Sequence, residues 1–121
     1  MDDKEFAHEI VRRCCRVYFT GIKPENISFY LSKPGEKFEK RRRIMGIQKK
    51  IGKQIIIQAD AEFVKTVDPV SLTEKIAYTL AHIKLKTSEK YSLKHEAIVK
   101  RELNKFFRAL KNNDRKLMKK F

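Results

Sequence analysis

Four residues of the C-terminal half, Tyr78, Thr79, His82 and His95, come nearest in type and spacing to a hydrolytic metal site. Such a site needs two imidazoles one helical turn apart, and a carboxylate between them that takes a proton from the metal-bound water. Tyr78 stands where the first imidazole would be, and Thr79 stands where the carboxylate would be. A phenol, with a pKa of about 10, is a poor zinc ligand at neutral pH, and a threonine hydroxyl is no general base. The sequence therefore predicts no catalytic residue and no cofactor.

A zinc metallopeptidase with a rebuilt site is the alternative interpretation of these residues. Its ligands would be His82, His95 and one carboxylate, because Glu74 shares a helical face with His82 and Glu96 follows His95. Other chemistries lack their sequence patterns. The chain contains no G-x-x-x-x-G-K-[ST] phosphate loop and no G-x-S-x-G nucleophile motif.

The elements that must position these residues form an α+β pattern. Asp2 or Asp3 can cap a first helix that runs to about Tyr18, and the alternation of "ISFYL" predicts a strand over Ile27–Leu31. Two further strands flank a turn at Gly52, the second over Gln54–Ala59. A helix from Pro69 or Leu72 to Leu85 and a last helix capped by Ser92 complete the order. We expect the helix that contains His82 to pack against the last helix, with the three-stranded sheet on its other side.

Several polar and thiol residues receive structural interpretations. His8 and Glu9 are expected to be surface polar residues of the first helix. Cys14 and Cys15 are neighbours on a helix and point apart, so they are expected to be one buried and one half-buried thiol. The acidic residues between the hairpin and the next helix are interpreted as loop and cap residues; they are Asp60, Glu62 and Asp68.

This order of elements resembles the minimal zincin module of SprT-like and WLM-like metallopeptidases, of gluzincin type. The specific part is "LAHI" at Leu80–Ile83, which places His82 at the second ligand of the family's H-E-x-x-H motif and His95 near the third. In such enzymes the strand that matches "IIIQA" is the edge strand that binds substrate backbone. The resemblance implies a zincin-like fold over residues 1–111. Because Tyr78 and Thr79 replace the first histidine and the glutamate, it implies a pseudoenzyme that has the fold without the reaction.

Positive charge is concentrated in two segments of the chain. The chain has 29 Lys and Arg residues against 15 Asp and Glu, a formal net charge of +14. Residues 33–53 contain nine basic and two acidic side chains, and residues 100–121 also contain nine and two, so that each segment carries +7 and the remainder is neutral. A basic protein with its charge gathered in this way is expected to attract polyanions.

The expected partner is nucleic acid, DNA or RNA, or a nucleoprotein complex, bound with little sequence specificity. A cationic hairpin and a basic tail over residues 112–121 can contact phosphates, which carry no base information. The predicted contact residues are Lys40, Arg41, Arg42, Arg43, Lys49, Lys50, Lys53, Arg115, Lys116, Lys119 and Lys120. The alternative partner is an acidic protein. No apolar run is long enough to span a membrane and no secretory signal opens the chain, so an intracellular location without membrane association is expected.

Overall fold

A computed structural model describes residues 2–33, 44–86 and 93–119 of the chain. The order is α1 (Asp3–Val17), a single 3₁₀ turn (Pro24–Asn26), β1 (Ile27–Ser32), β2 (Met45–Ile51), β3 (Gln54–Asp60), α2 (Ala61–Thr66), α3 (Pro69–Leu85) and α4 (Leu93–Lys119). The fold is α+β, as the sequence predicts. The division at residues 111 and 112 stays a prediction, and α4 continues beyond it to Lys119.

Three aspartates begin three of the helices. The Asp2 carboxylate accepts from the backbone N–H of Glu5 at 2.8 Å, and that of Asp60 accepts from Phe63 at 3.0 Å. Asp68 accepts from both the N–H and the hydroxyl of Ser71, and these bonds hold the pKa of Asp68 below its usual value. Each carboxylate satisfies an N–H that lacks a partner inside the helix. Of the two cap candidates for α1 the structure uses Asp2, and the helix start expected at Asp68 is confirmed. Asp60 caps the short helix α2, which the sequence did not predict.

The sheet places β3 between β1 and β2, so the strand that contains "IIIQA" is paired on both sides and is not the edge strand that the resemblance implies. β1 pairs with β3 in parallel, with Ile27 opposite Ile55 and Phe29 opposite Ile57. β2 and β3 form an antiparallel hairpin. Its two-residue loop has Gly52 at φ +59, which is the left-handed conformation that a type II′ turn requires at this position. The expected hairpin around Gly52 is therefore confirmed.

The core lies between the sheet and three helices. α3 contacts α4, α1 and β2, which agrees with the expected packing of the helix that contains His82. Ile76, Leu80 and Phe106 are fully buried, and the Phe106 ring stacks on Phe19 with centroids 5.5 Å apart. Ile83 and Leu103, also expected in the core, are partly buried against it.

Two residues of α1 differ from their sequence interpretation. His8 is half-buried, and its Nε2 lies 2.8 Å from the carbonyl of Pro24 and 3.1 Å from that of Ile27. Because carbonyl oxygens only accept, Nε2 donates to both and joins α1 to the start of β1. Both Cys14 and Cys15 are buried, where one half-buried thiol was expected, because the helix turns both toward neighbouring elements.

Candidate functional site

The residues that resemble a zinc site lie on α3 and at the start of α4. His82 is buried at 5% exposure, and its ring and the Tyr78 ring pack edge to face with centroids 4.7 Å apart. The Thr79 hydroxyl donates to the carbonyl of Lys75 one turn earlier at 3.1 Å, which is a bond within the helix. Among the described residues, no group of three or more His, Cys, Asp or Glu side chains could hold a metal ion. The zinc site of His82, His95 and a carboxylate stays an untested alternative.

A larger feature is an open cleft of about 710 Å³ between the ends of α1 and α3 and the β2–β3 hairpin. We call it the lysine cleft, because five lysines line it from three separate segments: the turn after α1, the β2–β3 hairpin and the end of α3. They are Lys23, Lys50, Lys53, Lys84 and Lys86. All five are exposed, and none of the described residues that line the cleft is acidic. Cationic groups around a concave surface concentrate anions there.

One rung of the sheet forms a wall of this cleft. Ile27 on β1 lies opposite Ile55 on β3, and Ile55 lies opposite Lys50 on β2. Residues that face each other across a ladder share one side of the sheet, and all three line the cleft. From β1 to β2, this wall therefore consists of two apolar side chains followed by a lysine.

The opposite wall is built by the two helix ends. α1 stops where the backbone N–H groups of Tyr18 and Phe19 both donate to the carbonyl of Cys14, each at 3.0 Å, and the chain then turns through residues 20–23. α3 stops at Lys86, whose N–H donates to His82 and Ile83 carbonyls and whose φ of 53 is in the left-handed region. Lys84 and Lys86 at the C-terminus of α3 also complement the partial negative charge of its last carbonyls.

Lys84 is held in position by two partners, Glu102 and the cleft residue Tyr18. Its ammonium lies 2.8 Å from a carboxylate oxygen of Glu102 and 3.2 Å from the Tyr18 hydroxyl, above the Tyr18 ring. The other Glu102 oxygen accepts from the Tyr18 hydroxyl at 2.5 Å. Burial opposes the charge of Glu102, but these two hydrogen bonds outweigh it and hold its pKa below the usual value. The bond to Glu102 raises the pKa of Lys84, so both groups are charged at neutral pH.

The structure brings only part of the predicted basic set to this cleft. Lys50 and Lys53 line it, and Lys49 is exposed on the same hairpin but faces the other side of the sheet, opposite Ile56. Arg115, Lys116 and Lys119 lie in the C-terminal part of α4. Lys40, Arg41, Arg42, Arg43 and Lys120 lie outside the described residues.

Three cleft lysines were not predicted from sequence. Lys23, Lys84 and Lys86 belong to segments whose net charge is zero, so a search for runs of charge misses them. The sequence shows only that they lie near chain reversals, which does not indicate that they converge. Lys23 precedes a proline, and Lys84 and Lys86 flank the end of a helical apolar pattern.

Comparison of the chain with protein-family models, with curated proteins and with solved structures found no match. The resemblance to SprT-like and WLM-like metallopeptidases therefore stays a prediction. Within the described part of the chain, every helix is too short or too polar to cross a membrane.

Proposed function

We propose that this protein binds nucleic acid with little sequence preference, and that the lysine cleft contributes a principal set of phosphate contacts. The observation that supports this most directly is that five lysines line one concave surface and that no described residue of its lining is acidic, although one of the five, Lys84, is paired with Glu102. Lysine ammonium groups bind phosphate as point charges and carry no geometric code for a base. The formal charge of +14 adds a long-range attraction for polyanions.

The proposal also includes the other basic residues that the sequence predicts as phosphate contacts. Lys49 adds a cation on the far side of the same hairpin. The charge-rich segment that contains Arg41, Arg42 and Arg43 precedes β2 in the chain, and Lys116 and Lys119 follow the described core along α4. Catalysis is not part of this function, because Tyr78 and Thr79 are unsuited to the roles of zinc ligand and general base.

Salt-dependent binding of a labelled oligonucleotide tests the proposal. Neutralising Z phosphates gives a log–log slope of about −0.9Z on duplex and about −0.7Z on single strands, so four to six engaged cations predict slopes of roughly −3 to −5. Replacing Lys50 and Lys53 together by Ala should weaken binding and flatten the slope by about one unit or more. Replacing Arg41, Arg42 and Arg43 together should act in the same direction and similarly across sequences.

The matched control removes two other lysines. Lys65 on α2 and Lys75 on α3 are exposed and lie outside the lining of the cleft, so their double change to Ala lowers the net charge equally. It should affect the slope much less than the Lys50 and Lys53 pair. Binding that is undetectable at low salt contradicts the proposal. Binding to an acidic protein, with no binding to nucleic acid, would instead support the alternative partner.

A further inference from the structure

The lysine cleft contains more apolar surface than phosphate contact explains. Besides the five lysines, its lining includes four isoleucines and two aromatic residues, of which Ile27 and Phe19 are buried and the partly exposed ones are Ile22, Ile55, Ile83 and Tyr18. A protein that only follows a phosphate backbone needs cations on a surface, not an apolar recess between them. The cleft volume of about 710 Å³ lies within the range of small-molecule sites, which combine apolar walls with a few polar groups.

The arrangement of the walls indicates the shape of the ligand. Across the sheet, the two isoleucines of the rung lead directly to Lys50. On the other side, Ile83 is followed along α3 by Lys84 and Lys86. Each apolar surface is thus bordered by an ammonium group. A matching ligand has an apolar, flat part that enters the cleft and anionic groups on either side of it.

A nucleotide that is not base-paired has this shape, and a duplex does not. In a duplex the bases are stacked and paired, so they are available to an apolar recess only after unstacking at a cost of a few kcal/mol. A single strand presents its bases without that cost, with a phosphate on each side of every base. Duplex phosphates could reach the lysines at the rim, but the isoleucines would then contact nothing.

We infer that the lysine cleft binds an unpaired nucleotide of single-stranded DNA or RNA, with the base against the isoleucine walls and the neighbouring phosphates on the rim lysines. This inference rests on the proposed function and names its substrate class. Because the Lys84 ammonium lies 4.4 Å from the centre of the Tyr18 ring, one face of that ring is already covered. The base therefore meets mainly aliphatic side chains, which do not distinguish one base from another by hydrogen bonds.

Gly21 offers a way to fill the cleft without disturbing the core. It lines the cleft, its φ is outside the left-handed region, and a Cβ added there would meet no atom within 4 Å. The Gly21→Phe variant adds a ring to the lining of the cleft, where there is open space for it, and leaves all five lysines in place. Gly21→Ala is the matched control, since it makes the same backbone change and adds almost no volume.

Anisotropy titrations with a labelled single strand of about 15 nucleotides and a duplex of the same length, at one salt concentration, test the inference. The wild-type protein should bind the single strand roughly tenfold more tightly than the duplex, as expected when one or more bases are buried. Gly21→Phe should lose most of that preference and change duplex affinity by less than about twofold, because the phosphate contacts are unchanged. Gly21→Ala should behave as wild type.

A cross-linking measurement makes the test independent of any variant. A single strand that carries 5-bromouracil should, on irradiation of its complex with wild-type protein, attach to peptides that contain residues 18–27 or 50–55. Attachment confined to other peptides overturns the inference, and so does equal affinity for single strand and duplex. Neither result contradicts the proposed binding of nucleic acid. Failure to bind either nucleic acid removes the proposed function itself.

Discussion

Lys84 at the end of α3 and Glu102 in α4 form an ion pair, with Nζ 2.8 Å from Oε1, and Tyr18 at the end of α1 bonds to both. Three helices therefore meet at one charged group. Glu102 is buried at 8% exposure, so its carboxylate depends on these two donors, whereas the Lys84 side chain is 40% exposed and remains accessible from the cleft. Lys84 therefore has two roles: it helps to hold α4 in place through Glu102, and it adds a positive charge to the cleft.

Glu102→Gln should destabilise the protein by about 1–2 kcal/mol at neutral pH, because a charged acceptor of two hydrogen bonds is lost while Lys84 stays hydrated. The folded-state pKa of Glu102 is lowered, so its contribution is present above the ordinary glutamate pKa of about 4.3 and is lost as the pH falls through the folded-state value. Urea unfolding of both proteins as a function of pH measures this. Their difference should shrink below about pH 4, and a constant difference down to acid pH would contradict the role of the charge.

The stability of the protein at alkaline pH depends on the two residues that bond to Glu102, namely Lys84 and Tyr18. The pKa of Lys84 is raised chiefly by its bond to Glu102, and that of Tyr18 is raised by burial and by its bond to the same carboxylate. The contribution of Lys84 and Tyr18 to folding stability is present below their ordinary pKa values of about 10. It is lost as the pH rises through their raised folded-state pKa values. Tyr18→Phe should therefore reduce the loss of stability above about pH 10, as followed by urea midpoints. If Tyr18→Phe loses stability above this pH as steeply as wild type does, Tyr18 does not contribute to the pH dependence.

Lys86→Gly should increase stability and weaken nucleic-acid binding at the same time. Lys86 ends α3 with φ 53 and ψ 30, a conformation that costs a residue with a Cβ about 1 kcal/mol and that glycine adopts without strain. The same change removes one ammonium from the cleft. Thermal unfolding and oligonucleotide titration measure the two effects, and Lys75→Ala serves as the control for charge. Weaker binding by a more stable protein cannot be attributed to unfolding, and unchanged binding would remove Lys86 from the interface.

Cys14 and Cys15 should resist alkylation in the native protein. Burial raises the pKa of the Cys14 thiol to about 12 and that of Cys15 to about 11, so the reactive thiolate is scarce near neutral pH. Mass spectrometry after iodoacetamide treatment at about pH 8 should show little modification without denaturant and two additions in urea. Rapid native modification of either residue would indicate that α1 opens locally.

The zinc content of the purified protein tests the resemblance to metallopeptidases. We expect substoichiometric zinc and no cleavage of a casein-type substrate, because Tyr78 and Thr79 replace a ligand and the general base. Elemental analysis measures the metal. One zinc per chain that is lost in both His82→Ala and His95→Ala variants would favour the metallopeptidase alternative instead.

Local patterns in the sequence were sufficient to predict most elements. The alternation of Ile27, Phe29 and Leu31 indicated β1, and Asp68 before Pro69 marked the start of α3. The helix α2 has only six residues, too few for an apolar period to show. His8 was misjudged because its partners, the carbonyls of Pro24 and Ile27, are distant in sequence.

The lysine cleft could not be predicted from the sequence for a related reason. Lys23, Lys50 and Lys84 come together only because β1 pairs in parallel with β3 and the ends of α1 and α3 meet beside that pair. Runs of like charge are visible in a sequence, but convergence of single charges from separate elements depends on topology. The predicted hairpin residues Lys50 and Lys53 were the part of the cleft that local charge could indicate.

The parallel pairing of β1 with β3 also determines at which stage of folding the cleft could first bind a ligand. The rung of Ile27, Ile55 and Lys50 spans all three strands, so the β2–β3 hairpin alone has two of the cleft lysines and no complete wall. A ligand of the cleft would consequently bind the fully folded chain and not partly folded forms. By mass action, single-stranded oligonucleotide at a hundred times its dissociation constant would then stabilise the native state by about 2.7 kcal/mol, and the melting temperature would rise with oligonucleotide concentration.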